Sequence, residues 1–329
     1  MSFFAVLFAL LIEQLRPMPR DNVVAQALVA WVAWVGRNFD AGRPHHARLV
    51  WAGSVLGPTL VVAAAYLVVS RYSVVAGLLV DVLVLYVTLG FRQFSHHFTA
   101  IRDALERGDE PLARRLLAEW RYLDASELPR TELLRHVIEH SLLAAHRHVF
   151  GVFFWFVLLS ALGLGPAGAV LYRMAAFVRR YAARRQSSVD EPVNSALADR
   201  AARAFELLDH VPARMTAFGF AVVGNFEEAI GSWRRDAGLW SPLNDGVILA
   251  SAAGAVGVQL GGAIPPAPSS PWPRAVGGGD TPDAPPAEGS TSGAPAQMGH
   301  LQSMVGLVWR SVILWMLLLA LLTLASVLG

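Results

Sequence analysis

Two histidines and a glutamate stand within five residues in "HVIEH", His136 to His140. Imidazoles four residues apart lie on one face of a helix and can share a metal ion. A neighbouring carboxylate, Glu139, can then serve as general base, as in zinc hydrolases with the motif in inverted order. Such a site needs a third protein ligand, and Glu206 in "FELLD" is the one acid at a tolerable distance, without a confirming motif. No metal is therefore assigned to His136 and His140, which are expected on a polar helix face near the headgroups. A membrane metallohydrolase stays only as the third reading of the chain.

Other groupings offer other chemistry. "DHVPAR" sets Asp209, His210 and Arg214 around Pro212. Asp209 and Arg214 can bind a ligand, or can form an ion pair that locks a proline-broken junction. Asn244 and Asp245 open a glycine-rich apolar stretch, where they can meet a ligand or cap a helix. Its glycines Gly254, Gly257, Gly261 and Gly262 allow the backbone to approach a phosphate or another helix, the second being the commoner use in membranes. His97, Arg147, Arg173 and Arg179 could together face a polyanion or lipid headgroups, though solvated charge explains them as well. The adjacent pairs His45–His46 and His96–His97 diverge by ~100° on a helix and do not chelate as pairs. Asp81 interrupts an apolar run; a carboxylate there costs ~2.5–3.5 kcal/mol on insertion scales and needs a cavity or a partner such as Arg310.

The elements that must position these residues follow from composition. Of 329 residues, 54% are hydrophobic and only 16% charged, against about 25% charged in a typical soluble domain. With a mean hydropathy of +0.44, the chain is expected in a membrane. It has no cysteine, which excludes disulfides and thiolate chemistry. All 27 basic residues are arginine, so no lysine is present for a Schiff base or a P-loop. A net charge of +2 gives nucleic-acid binding no support.

The expected class is all-α and polytopic, with a helical cytoplasmic segment. Residues 1–90 form a membrane region: a retained helix too short to cross, then a hairpin of two spans, Leu49 to Val69 and Val74 to Gly90. Arginine-rich flanks place the hairpin's outer ends in the cytoplasm. Residues 91–148 read as polar helices, with Asp109 capping one that begins near Pro111. Residues 149–262 form a core of broken apolar helices. Positive-inside logic favours a helix–turn–helix across "GLGPAG", because a straight span would put the seven arginines from Arg173 to Arg203 outside. Residues 263–300 read as a disordered Pro/Gly linker, and 301–329 as a terminal membrane helix with Trp309 and Arg310 at its mouth.

Four stretches, in this order, resemble the CobD/CbiB membrane proteins of cobalamin biosynthesis and their AmpE relatives of β-lactamase induction. "IRDALERGDEPLARRLLAEW" is similar to AL-x-x-GD-x-x-xAR, and "VFFWFVLLSALGLGPAGAVLYR" to FW…GGLPGAa-x-YK. "LLDHVPARMTAFGFAVVG" is similar to IPARLTA and "SPLNDGVILASAAGAVGVQLGG" to SPNAG…GALGV-x-LGG. The two ends, "LLIEQLRP" and "LVWRSVILWMLLLALL", look more like AmpE, and the N-terminal PHPV-type segment is missing.

The resemblance implies ATP-dependent joining of an aminopropanol phosphate to a corrinoid carboxylate, with carboxylates holding Mg²⁺ against the phosphates. It keeps Glu139 but sets Leu143, Ala144 and Arg147 where the family has Glu, Asn and Asp. Ala176 and Arg179 likewise replace Asn and Asp. The expectation is therefore an inner-membrane, multi-pass, AmpE-like sensor, accessory or ligand-binding protein whose synthase site has degenerated. The alternative is a working adenosylcobinamide-phosphate synthase using Mg-ATP. Glu139, Arg173, Asp209, Arg214, Asn244 and Asp245 are the candidate ligand-binding residues; no catalytic residue is assigned. The expected partners are the lipid bilayer, a corrinoid or other anionic ligand, and a membrane or cytoplasmic protein, with no nucleic acid.

Overall fold

The computed structural model of the chain describes residues 2–15, 23–39, 46–121, 125–126, 128–186, 195–262 and 290–328. The described residues are all-α, with two isolated β-bridges and no strand. The helices are α1 (Ser2–Leu15), α2 (Val23–Phe39), α3 (His46–Tyr72), α4 (Val74–Thr88), α5 (Phe91–Glu106), α6 (Glu110–Arg121) and α7 (Arg130–Ala145). After them come α8 (Gly151–Ala161), α9 (Ala167–Gln186), α10 (Ser195–Val223), α11 (Phe226–Asp236), α12 (Leu243–Val256) and α13 (Met298–Leu328). They form two compact units, neither of which is a single stretch of chain. Unit 1 holds Met1–Gln93, Arg147–Leu208 and Leu319–Gly329; unit 2 holds Phe94–His146 and Asp209–Leu318.

Among the described residues, three runs are long and apolar enough to cross a bilayer: His46–Tyr72, Arg130–Ala161 and Met298–Ala325. The chain is a membrane protein. The second of these runs across the expected boundary at residue 148. α7 passes through a π turn, His146–Phe150, into α8 without a break. The expected span over Val74 to Gly90 is corrected: α4 has 15 residues, about 22 Å at 1.5 Å per residue, short of a full crossing.

In unit 1 the α3–α4 hairpin turns at Ser73, whose Oγ accepts the Ala76 N–H at 3.4 Å. Gly77 lets α4 lie close to Ser70. The helix α2, absent from the sequence reading, presents Trp31 to Gly57 of α3, where a Cβ would stand 2.8 Å from the indole. The "GLGPAG" segment does form a helix–turn–helix. Gly163 and Gly165 take positive φ in the turn, and α8 and α9 run back antiparallel with Gly168 against the Trp155 carbonyl and Gly151 against Tyr172. A methyl at Gly168 would enter that carbonyl. Gly168→Ala is therefore expected to destabilise the protein by about 1–3 kcal/mol, seen as a lower melting temperature in detergent by fluorescence-detected gel filtration.

Unit 2 is built around α12. Every residue from Asn244 to Gly254 is buried, as expected for a helix apolar on all sides. Gly246 meets the Ala237 carbonyl and Gly254 the Glu228 carbonyl, so these glycines serve helix packing. Ser251 Oγ donates to Ala217 O of α10 at 2.7 Å, fixing α12 to that helix. Gly257 ends α12 with φ +75. In α6 the expected cap is present, the Leu112 N–H donating to Asp109 Oδ1 at 3.0 Å. Residues 263–289 of the expected linker lie outside the described residues. Its last part is ordered: Gln259 N–H donates to Ala294 O and Thr291 N–H to Leu260 O, both at 2.8 Å, and α13 begins at Met298.

Candidate functional site

Asp209, Ala213, Thr216, Ala217 and Phe220 recur at helical spacing and form the buried face of α10. Pro212 lies inside this helix and does not break it, which corrects the proline-broken junction expected from the sequence. Proline lacks the N–H that would serve the carbonyl four residues earlier. That carbonyl, Leu208 O, instead accepts Trp155 Nε1–H at 3.1 Å.

The buried face of α10 meets His146, which is fully buried. His146 Nε2 stands 2.8 Å from Asp209 Oδ1, and Nδ1 stands 2.9 Å from Thr216 Oγ1. An ionised Asp209 has no proton to give, so Nε2–H is the donor in that pair. On a neutral ring Nδ1 is then bare and accepts the Thr216 hydroxyl proton. The chain Thr216→His146→Asp209 thus runs in one direction and fixes the tautomer of the ring. It orients Asp209 and gives its carboxylate a donor in a place without water-exposed surface.

One turn further along α10, Arg214 Nη1 donates to His210 O at 2.8 Å and to Asn244 Oδ1 at 3.2 Å. That second bond joins "DHVPAR" to the start of α12. The cap of α12 is Pro242, with no side-chain cap bond. Asn244 and Asp245 therefore sit inside the first turn, both buried, and do not have the N-cap role considered for them.

Glu139 occupies a second polar cluster of unit 2. Arg135, on the same helix, binds Glu132 through two nitrogens and donates to Glu139 Oε1 at 3.2 Å. The same Oε1 accepts the N–H of Gly261, a residue with positive φ, at 2.8 Å. Arg121 Nη1 donates to His136 Nδ1 at 2.7 Å, and this nitrogen lies 3.7 Å from Glu139 Oε2. The two histidines of "HVIEH" thus go to different partners: His140 sets its ring edge-on to Trp120, 4.4 Å between centroids.

Of the six candidates, unit 2 holds Glu139, Asp209, Arg214, Asn244 and Asp245, with Arg214 and Asn244 in direct contact. Arg173 lies on α9 in unit 1. The proposed anion-binding set is divided likewise. His97 stacks on Trp120 in unit 2, while Arg147, Arg173 and Arg179 belong to unit 1, where Arg179 lies over the Phe205 ring. Asp81 is buried in α4, and its Oδ1 has no hydrogen-bond partner among the described residues. Arg310, suggested as its partner, donates to Gly306 O of its own helix.

The sequence reading missed His146 as the partner of Asp209, Thr216 as the second partner of His146, and Arg121 and Arg135 as partners in the Glu139 cluster. Thr216 was findable, since seven residues after Asp209 is two turns along one face. Arg135 stands four residues before Glu139, at ion-pair spacing. His146 lies 63 residues from Asp209 and leaves no local signal.

A family model described as CobD/Cbib protein matches residues 3–265. The chain is 32% identical over 324 residues to a protein of Stutzerimonas stutzeri named Cobalamin biosynthesis protein CobD, covering 96% of each. A Chromobacterium violaceum protein of the same name is 34% identical over 185 residues, 56% of each chain. One from Leptospira interrogans is 26% identical over 193 residues, 57% of this chain and 58% of its own. No solved structure matches.

Proposed function

Because the chain belongs to the CobD/Cbib family, we propose that it acts in cobalamin biosynthesis, as an inner-membrane, multi-pass synthase. Its reaction joins an aminopropanol phosphate to a corrinoid carboxylate as an amide, with Mg-ATP as the co-substrate that activates the acid. The observation that carries this reading is the Arg214–Asn244 bond. It joins two of the four segments that resemble the family and gathers a guanidinium, an amide and the carboxylate of Asp245 at the start of one buried helix.

These groups fit the substrates. Mg²⁺ bound to nucleotide keeps several waters and takes one or two carboxylates from the protein. The described residues hold no cluster of three or more acids, histidines or cysteines suited to a metal. Asp245 and Asn244 would hold the ion. Arg214 would face a phosphate or a corrinoid carboxylate. Asp209, held by His146, positions the helix that carries Arg214. The relatives' names lend no support to the AmpE-like reading of the two ends.

A second reading, a corrinoid-binding accessory protein without catalysis, is favoured by one observation. Leu143, Ala144 and Ala176, which stand at polar or acidic positions of the family, are buried among apolar neighbours. Purified protein in detergent, given adenosylcobyric acid, aminopropanol phosphate and Mg-ATP, separates the two. The synthase reading expects amide product and ADP or AMP, with kcat/KM falling at least ~100-fold in Arg214→Gln, the loss of a charged contact of about 2.7 kcal/mol. Saturable corrinoid binding by calorimetry without product supports the accessory reading, and neither heat nor product removes both.

A further inference from the structure

The face of α10 opposite its buried side is apolar and open. Leu207, Val211, Met215, Phe218 and Val222 are exposed by 79%, 49%, 41%, 49% and 45%. At about 100° per residue these five lie within roughly 80° of one another, and their centre is about 180° from that of Asp209, Ala213, Thr216, Ala217 and Phe220. From Leu207 to Val222 the stripe runs about 22 Å along the axis. Monomeric soluble proteins seldom expose an apolar strip of this kind without a partner.

α10 is not among the runs that qualify as membrane spans. Asp209 on its buried half, Arg214 at the edge and the exposed Glu206 and His210 beside the stripe lower its average hydropathy. Averaging around a helix hides a one-sided apolar face. Its neighbour in unit 2 supplies the context. A Cβ on Gly219 would meet Trp315 Nε1 of α13 at 3.2 Å, so the two helices touch there. α13 is a candidate span, and its Ile313 and Leu317 are exposed by 63% and 56% on the same unit. The stripe therefore stands on a helix packed against a candidate membrane span.

We propose that this face of α10 lies against the acyl chains of the bilayer, so that the Asp209–His146–Thr216 chain stands behind a lipid-facing wall at membrane depth. Arg214 is compatible with that placement. It is at the stripe's edge, and its guanidinium is turned back to His210 O and Asn244 Oδ1. The placement does not depend on the reaction proposed above.

The chain contains no cysteine, so each introduced one is the sole thiol. Val211→Cys, Met215→Cys, Phe218→Cys and Val222→Cys of the full chain would carry nitroxide labels in phosphatidylcholine–phosphatidylglycerol vesicles. Ile313→Cys gives the reference for a face in hydrocarbon and Glu227→Cys, an exposed acid position, the reference for water. The expected result is strong broadening by oxygen and little by a water-soluble nickel chelate at all four positions. The ratio should match Ile313→Cys and exceed Glu227→Cys several-fold. Nickel access along the stripe overturns the proposal. So does protection from both reagents; if spin–spin broadening then disappears on dilution with unlabelled protein, a second copy of the chain covers the face.

Discussion

His146→Leu is expected to lower unfolding stability by about 3–5 kcal/mol, the cost of leaving a buried carboxylate without its hydrogen-bond donor. Asp209 is 2% exposed, and leucine offers neither a donor for its Oδ1 nor an acceptor for the Thr216 hydroxyl. Asp209→Leu removes the charge itself and should cost less. The double variant should be more stable than the sum of the singles by about 0.5–3 kcal/mol, the range of coupling for groups in one network. Unfolding in mixed micelles followed by circular dichroism measures all three. Additivity within about 0.5 kcal/mol would mean that the hydrogen-bond chain adds nothing to stability.

Glu139→Ala is expected to be about as damaging, about 3–5 kcal/mol, with a more local signature. The change strips Arg135 of one of its two carboxylates and releases the Gly261 N–H. Amide hydrogen exchange should therefore rise first at Val258 to Gly262, where the chain leaves α12, before it rises in α7. Glu139→Gln keeps the acceptor for Gly261 and loses the ion pair, so it should retain the local protection while losing part of the global stability. Equal exchange in the two variants would show that the Gly261 bond does not hold that segment.

Much of this was legible in the sequence because it is local. The α3–α4 hairpin, the cap at Asp109 and the helix–turn–helix over "GLGPAG" all depend on residues within a turn or two of one another. The helix α2 was open to the same reading, since "VVAQALVAWVAWVG" is plainly apolar, and it was passed over. The site was legible as residues and not as contacts. "DHVPAR" and "SPLNDG" stood out, yet the bond that joins them spans 30 positions, and Asp209's partner lies 63 positions away. Proline at position 212 suggested a broken helix. Only the tertiary fold supplies the indole of Trp155 that takes over the freed carbonyl and lets the helix continue.

The bond between Glu139 and Gly261 joins residues 122 positions apart. At roughly 5–20 residues per second, the ribosome delivers Gly261 about 6–24 s after Glu139. Throughout that interval the glutamate must be kept from seeking other partners. Arg135, four positions before it, and Glu132, seven before it, are already present on the same newly made helix. Arg135 can donate to Glu139 Oε1 as soon as α7 forms, and the same oxygen later accepts the Gly261 N–H as well. The arginine that reads as a static ion pair in the finished fold acts, in the order of synthesis, as a placeholder.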